Sequence, residues 1–187
     1  AESHSGGNSG KGGDFLYRWG NPINYQRGTP EDRALIGQHD ANWINSGYPG
    51  QGNIIIYNNG SVTSFGQDLT QSSIIEITSP IDIDNNYIIS DESAYAPMDF
   101  SWFYTSEFFS HIMSGARRLP NGNTFVTVSG DDGMFEVTDD GMVVWEHSPP
   151  GVFRAQKYSS DYLTLFGDIN GDGSVNVMDI VLLVNYI

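Results

Sequence analysis

The side chain with the clearest potential for chemistry is His39. Strand-like alternation through LIGQHDANWI places His39 between the small residues Gly37 and Ala41 on one face. Asp40 and Asn42 then lie on the opposite face and would at most orient the strand. The space beside the imidazole could admit a substrate group. The alternative is a histidine that packs and hydrogen-bonds inside a β domain, because one histidine without visible partners does not define a site.

A second candidate site lies near the C-terminus, where oxygen-bearing residues recur at the spacing of an EF-hand-like calcium loop. The stretch DINGDGSVNVMD has ligands at loop positions 1, 3, 5, 7, 9 and 12. They are Asp168, Asn170, Asp172, Ser174 (through its backbone carbonyl), Asn176 (directly or through water) and Asp179. Gly173 occupies the sharp turn, and hard oxygen ligands favour Ca²⁺ over a transition metal. The alternative is an Asp-, Asn- and Gly-rich surface loop.

The elements that must position these residues are strands. Twenty-two glycines among 187 residues, with several Asn-Gly and Asp-Gly pairs, predict an all-β protein with tight turns. Short β-branched or aromatic runs predict the individual strands. The predicted strands are Asp14–Trp19, Leu35–Ile44, Asn53–Tyr57, Ile74–Thr78, Asp99–Thr105, Thr124–Val128, Met134–Thr138 and Met142–His147.

The pattern repeats in two halves of the chain. GNIIIYNNG matches GNTFVTVSG, IIEIT matches MFEVT, and FSWFYT resembles VVWEHS. Each copy predicts about four strands, which is the content of one propeller blade. In this alignment Ser114 falls where His39 lies, at the start of the first strand, which in a propeller lines the central channel. Only one of the two copies has a titratable side chain at this position, which favours a specific role for His39.

Composition excludes several classes of partner. A net charge of -15, from 23 acidic and 8 basic residues, argues against nucleic acid and against an anionic membrane surface. An anionic substrate would need local positive groups, for which Arg27, Arg33, Arg117 and Arg118 are candidates, although pairing with surface carboxylates explains them equally well. There is no cysteine, and no run of membrane-spanning length.

The chain resembles the bacterial aryl-sulfate sulfotransferase family that works without a nucleotide sulfate donor. Besides GQHDANWI and GNIIIYNNG, the similarity covers HSGGNSGKGGDFLYRWGNP, SGARRLPNGNTFV, FEVTDDGMVVWEH and VFRAQKY, and so most of residues 4–160. The resemblance implies a β-propeller with a nucleophilic histidine near the central channel, which is His39 here. That histidine would take a sulfuryl group from an aryl sulfate and pass it to a phenol.

The resemblance also implies propeller blades and active-site residues that have no counterpart in this sequence. Two to three blades are visible, whereas propellers close with about four to eight. In the family, further active-site histidines and an arginine precede the HSGGNSG segment. We therefore expect residues 1–164 to be the C-terminal part of a propeller, within a longer protein or completed by another chain. A non-enzymatic, exported structural or filament-forming protein is the alternative function.

Residues 165–187 are similar to a single dockerin calcium repeat, since loop position 12 is Asp and the chain closes with DIVLLVNYI. Met178–Ile187 predicts a short helix. Dockerins normally pair two repeats, so this segment would serve attachment, self-assembly or binding of a protein partner, or simply stabilise the tail. An acidic, cysteine-free chain with a calcium motif suits an exported protein, whether extracellular, on the cell surface or periplasmic.

Overall fold

The protein is all-β, as predicted. The structure, a computed structural model, describes residues 12, 15–63, 66–68, 70–84, 86–89, 94–130, 133–158 and 174. The chain divides into two compact units, residues 1–155 and residues 156–187. Within the described residues there are ten strands and no α-helix, and two short 3-10 turns lie at Pro22–Tyr25 and Pro30–Asp32. The predicted helix Met178–Ile187 lies outside the described residues.

The first sheet of unit 1 has four antiparallel strands. In chain order these are β1 (His39–Trp43), β2 (Ile54–Asn58), β5 (Ser73–Ile77) and β6 (Trp102–Thr105), which also lie side by side in that order. A small hairpin, β3 (Ser61–Thr63) and β4 (Gly66–Asp68), is inserted between β2 and β5. His39 therefore begins an edge strand of this sheet.

The second sheet is a simple antiparallel meander. Its strands are β7 (Gly115–Arg118), β8 (Thr124–Val128), β9 (Gly133–Val137) and β10 (Val143–His147), hydrogen-bonded in sequence order. The β9–β10 turn is made by Asp139-Asp140-Gly141, where Gly141 adopts φ 88°, a conformation that glycine accepts without strain. The Asp-Gly hairpin signal in the sequence is confirmed here.

The main core lies between the two sheets. Ile55, Tyr57 and Ile74 of the first sheet pack in one cluster with Val126, Val128 and Val137 of the second, and all six are fully buried. Burial of each such side chain stabilises the fold by about 1.5–3 kcal/mol. β7 also lies against β1 and β2, so the first strands of the two sheets, β1 and β7, are close together.

A second cluster covers the other face of the first sheet. Leu35 and Ile56 pack there with Ile75 and Ile77, and Trp19 and Ile54 extend the cluster. In β2, Ile54 and Ile56 face this cluster and alternate with Ile55 and Tyr57, which face the main core. In β5, Ile75 and Ile77 alternate with Ile74 in the same way, so both strands carry apolar residues on both sides.

Most predicted strands are confirmed within about two residues, but three strand predictions are wrong. The strand predicted from Leu35 begins only at His39. Residues 15–19 form no strand: Trp19 Nε1 donates to the Pro97 carbonyl at 2.9 Å and the Tyr17 hydroxyl donates to the Ala96 carbonyl, so side chains tie this segment down in place of main-chain pairing. The strand predicted from Asp99 begins only at Trp102. The polar residues after Gly60, whose composition is typical of a loop, include the β3–β4 hairpin.

The sequence repeat has a repeated contact. Asn53, just before β2, donates its amide to Glu76 of β5 at 2.6 Å. Asn123, just before β8, donates to Glu136 of β9 at the same 2.6 Å. Both carboxylates are buried, with 5% of each residue exposed. The two sheets are therefore built on one local plan, which includes a polar interaction that the strand pattern does not reveal.

Candidate functional site

His39 is half-buried at the start of β1, and its ring is held through one nitrogen. Nδ1 lies 2.8 Å from Asn59 Oδ1 and 2.9 Å from the Gly37 carbonyl oxygen. Gly37 has φ 64°, which turns the chain just before β1 so that this carbonyl faces the ring. Gly37 therefore allows the turn that presents its carbonyl to the ring, in addition to leaving the open space predicted from its size.

The orientation of Asn59 fixes the tautomer of His39. The Asn59 amide nitrogen donates to the Ser110 carbonyl at 2.7 Å and to the Met113 carbonyl at 3.4 Å, so Oδ1 is the atom that faces the ring. Two carbonyl oxygens can accept a hydrogen bond only from a protonated Nδ1. In the neutral imidazole, Nε2 therefore carries the lone pair. Sequence reasoning treated Asn59 only as a turn residue.

A β-bulge changes the predicted alternation of β1. His39 pairs with Tyr57 and Asn42 pairs with Ile55, so β1 has one more residue than β2 over this interval. Asp40 takes φ 54°, a left-handed conformation that is uncommon outside glycine. The register places Asn42 on the same face as His39, so the prediction that Asn42 lies opposite is wrong.

The bulge directs Asp40 into an ion-pair cluster. Asp40 Oδ1 lies 2.7 Å from Arg117 Nη2 and 3.4 Å from Arg154 Nη1. Only 4% of the Asp40 side chain is exposed, against 32% for Arg117 and 53% for Arg154. Asp40 is thus more than a strand-orienting residue. Arg154 lies in the VFRAQKY segment, where sequence reasoning had assigned no role to it.

Main-chain contacts set the position of Arg154. The Gly130 N–H donates to the Val152 carbonyl at 3.3 Å, and the Ser114 N–H donates to the Phe153 carbonyl at 3.2 Å. On the other side, the Ala155 N–H donates to Thr127 Oγ1 at 3.1 Å. These contacts fasten residues 152–155 to the end of the β7–β8 pair. They bring a half-exposed guanidinium to the start of β1.

Burial and charge act in opposite directions on Asp40. Burial raises the pKa of the Asp40 carboxyl above its usual value, because the ionised form loses hydration. The guanidinium groups of Arg117 and Arg154 and the Ala116 N–H favour the ionised form and offset part of this effect. The positive groups beside Asp40 therefore oppose the effect of its burial.

The second arginine of the ARR sequence lies in a different contact. Arg118 pairs with Glu76 across the two sheets, donates through Nη1 to the Gly122 carbonyl at 2.8 Å, and lies over the Trp102 ring at 5.0 Å. This pair lines a cleft of about 280 Å³ between the sheets. Both charged side chains are at least 94% buried. The sequence did not predict which arginine would pair internally.

The other predicted positive groups lie elsewhere. Arg27 lies over the ring of Tyr95 and Arg33 Nε donates to the Leu35 carbonyl at 2.9 Å, so both belong to the segment before β1. His111 lies shortly before β7, His147 is the last residue of β10, and both are exposed. Asp82 accepts the N–H groups of Asp84 and Asn86 within its loop, which is turn chemistry and lowers the pKa of Asp82.

The predicted calcium ligands lie almost entirely outside the described residues. These are Asp168, Asn170, Asp172, Asn176 and Asp179, whereas Ser174 is described and exposed. Elsewhere in the described part of the chain, no three or more acidic or histidine side chains come together as a metal site would require. The calcium loop remains a prediction from sequence.

Gly115 provides the space that Asp40 occupies. Gly115 pairs with Thr127 just as His39 pairs with Tyr57, so Gly115, and not Ser114, corresponds to His39 in the repeat. A Cβ at Gly115 would lie 3.1 Å from Asp40 Cγ and closer still to a carboxylate oxygen. We expect Gly115→Ala to lower the free energy of unfolding by about 1–3 kcal/mol through this overpacking. Urea denaturation measures the loss.

The control for Gly115→Ala is the double variant with Asp40→Ala. If the added methyl group acts through the carboxylate, the loss in the double variant is smaller than the sum of the two single losses. Additive losses would contradict this account.

Comparison with known protein families, with curated proteins and with solved structures finds no match for this chain. Within the described residues, no helix has the length and apolar character needed to cross a bilayer.

Proposed function

We propose that this protein transfers a sulfuryl group from an aryl sulfate to a phenol, with His39 as the nucleophile. The observation that carries the proposal is the hydrogen bonding of Nδ1 to Asn59 Oδ1 and to the Gly37 carbonyl. These contacts orient the ring and leave the Nε2 lone pair for attack, which is the arrangement that nucleophilic catalysis by a neutral imidazole requires.

The reaction would proceed in two displacements at sulfur. His39 Nε2 attacks the sulfur of the aryl sulfate, an N–S bond forms, the S–O bond to the ring breaks, and the phenolate leaves with the electron pair. The acceptor phenol then gives its proton to solvent, from which the first phenolate takes one up. The acceptor oxygen attacks sulfur, and the N–S bond breaks. The imidazole returns to its initial state, so no oxidant or reductant is consumed.

We propose further that the two sheets are adjacent blades of a β-propeller. Each is a four-stranded antiparallel meander, and their first strands, β1 and β7, lie near each other. This is the arrangement in which first strands line a central channel. The packing of the sheets face to face over an apolar core supports the same architecture.

For residues 165–187 we propose Ca²⁺ binding by the EF-hand-like loop. The support is the spacing of hard oxygen ligands from Asp168 to Asp179. A calcium-dependent tail fits an exported protein, in the extracellular medium, on the cell surface or in the periplasm, and it would give a point of attachment. The whole active enzyme would include blades beyond the two sheets seen here.

The proposal is tested on the protein with all of its propeller blades, by intact mass spectrometry after incubation with 4-nitrophenyl sulfate at neutral to alkaline pH. We expect a gain of one SO₃ unit in the wild-type chain and none in His39→Gln. Peptide mapping should place the group on His39. Absence of the adduct in the wild type, with nitrophenol release at the background rate, would overturn the assignment of a sulfuryl transferase.

The alternative function is a structural protein that assembles through its strand edges or its calcium tail. One observation favours it: β10 is an edge of the second sheet, and all five of its residues are exposed, including Val143, Val144 and Trp145. Exposed apolar edge strands tend to pair with other chains. Light scattering across a range of protein concentrations, with and without Ca²⁺, would detect such assemblies.

A further inference from the structure

Positive charge is scarce in this chain, and part of it is concentrated next to His39. The chain has eight lysines and arginines against 23 acidic residues. Two of those eight, Arg117 and Arg154, converge on the single carboxylate of Asp40. The cluster therefore carries one positive charge in excess, within a molecule whose overall charge repels anions at long range.

Neutralising Asp40 does not require both arginines. Arg117 alone makes a charge-assisted hydrogen bond to Oδ1 at 2.7 Å. Arg154 approaches the same oxygen at 3.4 Å from a separate segment, which two main-chain hydrogen bonds and one to the Thr127 hydroxyl fasten in place. Its side chain is 53% exposed, against 32% for that of Arg117. The buried carboxylate thus holds two arginines whose side chains both remain partly accessible to solvent.

The bulge ties this cluster to His39. Asp40 follows His39 directly, and consecutive Cα atoms are only about 3.8 Å apart. The left-handed conformation of Asp40 is kept although it costs free energy, as backbone strain at functional sites often is. Asp40 thus lies in the bulge that interrupts the regular alternation of β1.

We propose that Arg117 and Arg154, held by Asp40, form an anion-binding site for the sulfate group of an aryl sulfate. Guanidinium groups match the geometry of tetrahedral oxyanions through paired N–H donors. In sulfuryl transfer they would stabilise the equatorial oxygens of the transferring group. Asp40 is a positioning residue. The identity of the substrate rests on the proposed function, whereas the affinity for the anion does not.

The test separates binding from transfer. The probe is 4-nitrobenzenesulfonate, in which a C–S bond prevents sulfuryl transfer, titrated calorimetrically at constant ionic strength into the His39→Gln variant. Replacing Arg154 by glutamine in that background is expected to weaken binding by at least about tenfold, because a charge-assisted contact is lost. Arg154→Lys should recover part of the affinity, since the charge returns without the planar fork.

The matched control is Arg27→Gln, which makes the same change of charge in the segment before β1, where Arg27 lies over Tyr95. It should leave the affinity unchanged. The inference is overturned if the His39→Gln chain does not bind the sulfonate, or if Arg154→Gln and Arg27→Gln in that background bind it equally well. Retained sulfonate binding without a sulfuryl adduct on His39 would keep the anion site and reject the transferase.

Discussion

Glu76→Ala is expected to lower the free energy of unfolding by about 3–5 kcal/mol, because it leaves the guanidinium of Arg118 buried without its counter-charge. Arg118 has only 4% of its side chain exposed, and its remaining contacts are the Gly122 carbonyl and the face of Trp102. Removal of Glu76 also leaves the Asn53 amide without the oxygen to which it donates at 2.6 Å. Urea denaturation followed by tryptophan fluorescence measures the change.

Two further variants separate the ion pair from general damage. Glu107→Ala removes an exposed carboxylate and should change the free energy of unfolding by less than about 0.5 kcal/mol. In a double-mutant cycle, Glu76→Ala with Arg118→Ala should cost much less than the sum of the single changes, since neither charge then remains buried alone. A loss for Glu76→Ala no larger than that for Glu107→Ala would show that the pair does not hold the sheets together.

Asn59→Ala is expected to slow sulfuryl transfer by about 10- to 100-fold, the size found for residues that orient metal-bound imidazoles. The variant removes the acceptor that, with the Gly37 carbonyl, keeps the proton on Nδ1. Nε2 would then carry the proton in a larger share of molecules, and the ring would turn more freely. The rate is measured as nitrophenol release from 4-nitrophenyl sulfate.

The tautomer itself gives a second readout. Nitrogen-15 chemical shifts of His39 should report a protonated Nδ1 in the wild type and a mixture of tautomers in Asn59→Ala. Asn58→Ala is the matched control: Asn58 is also a buried amide, and its hydrogen bonds, from the Ile36 N–H at 2.7 Å and to the Ala34 carbonyl at 3.3 Å, do not involve His39. An equal loss of rate in both variants, with an unchanged tautomer, would show that Asn59 acts only through stability.

The strands were predictable because their signals are local. Thr124–Val128 is an apolar, β-branched run, and the Asp139-Asp140-Gly141 turn follows a known turn preference. The segment 15–19 misled the prediction because aromatic side chains alternate there, yet Tyr17 and Trp19 are anchored by side-chain hydrogen bonds to a loop nearly eighty residues away. Periodicity cannot distinguish the two cases.

The site was predictable only in its first residue. His39 stands out by its chemistry, but the bulge at Asp40 shifts the register by one residue, and no composition rule marks it. The arginines that reach Asp40 come from distant parts of the chain, so nothing near GQHDANWI indicates them. Asn59 lies in an Asn-Asn-Gly sequence that reads as a turn, and its contact with His39 depends on the tertiary fold.

The attachment of Arg154 has a consequence for the order in which the protein is made. Asp40 and Arg117 are separated by 77 residues, and Arg154 comes later still. During synthesis from the N-terminus, β1 and its histidine therefore leave the ribosome long before the last arginine of the cluster. Contacts of such long range form slowly because the intervening chain must first be ordered. Under the proposed function, the nascent chain would carry its nucleophile early and gain its anion-binding arginine last, so that substrate capture would wait until unit 1 is complete.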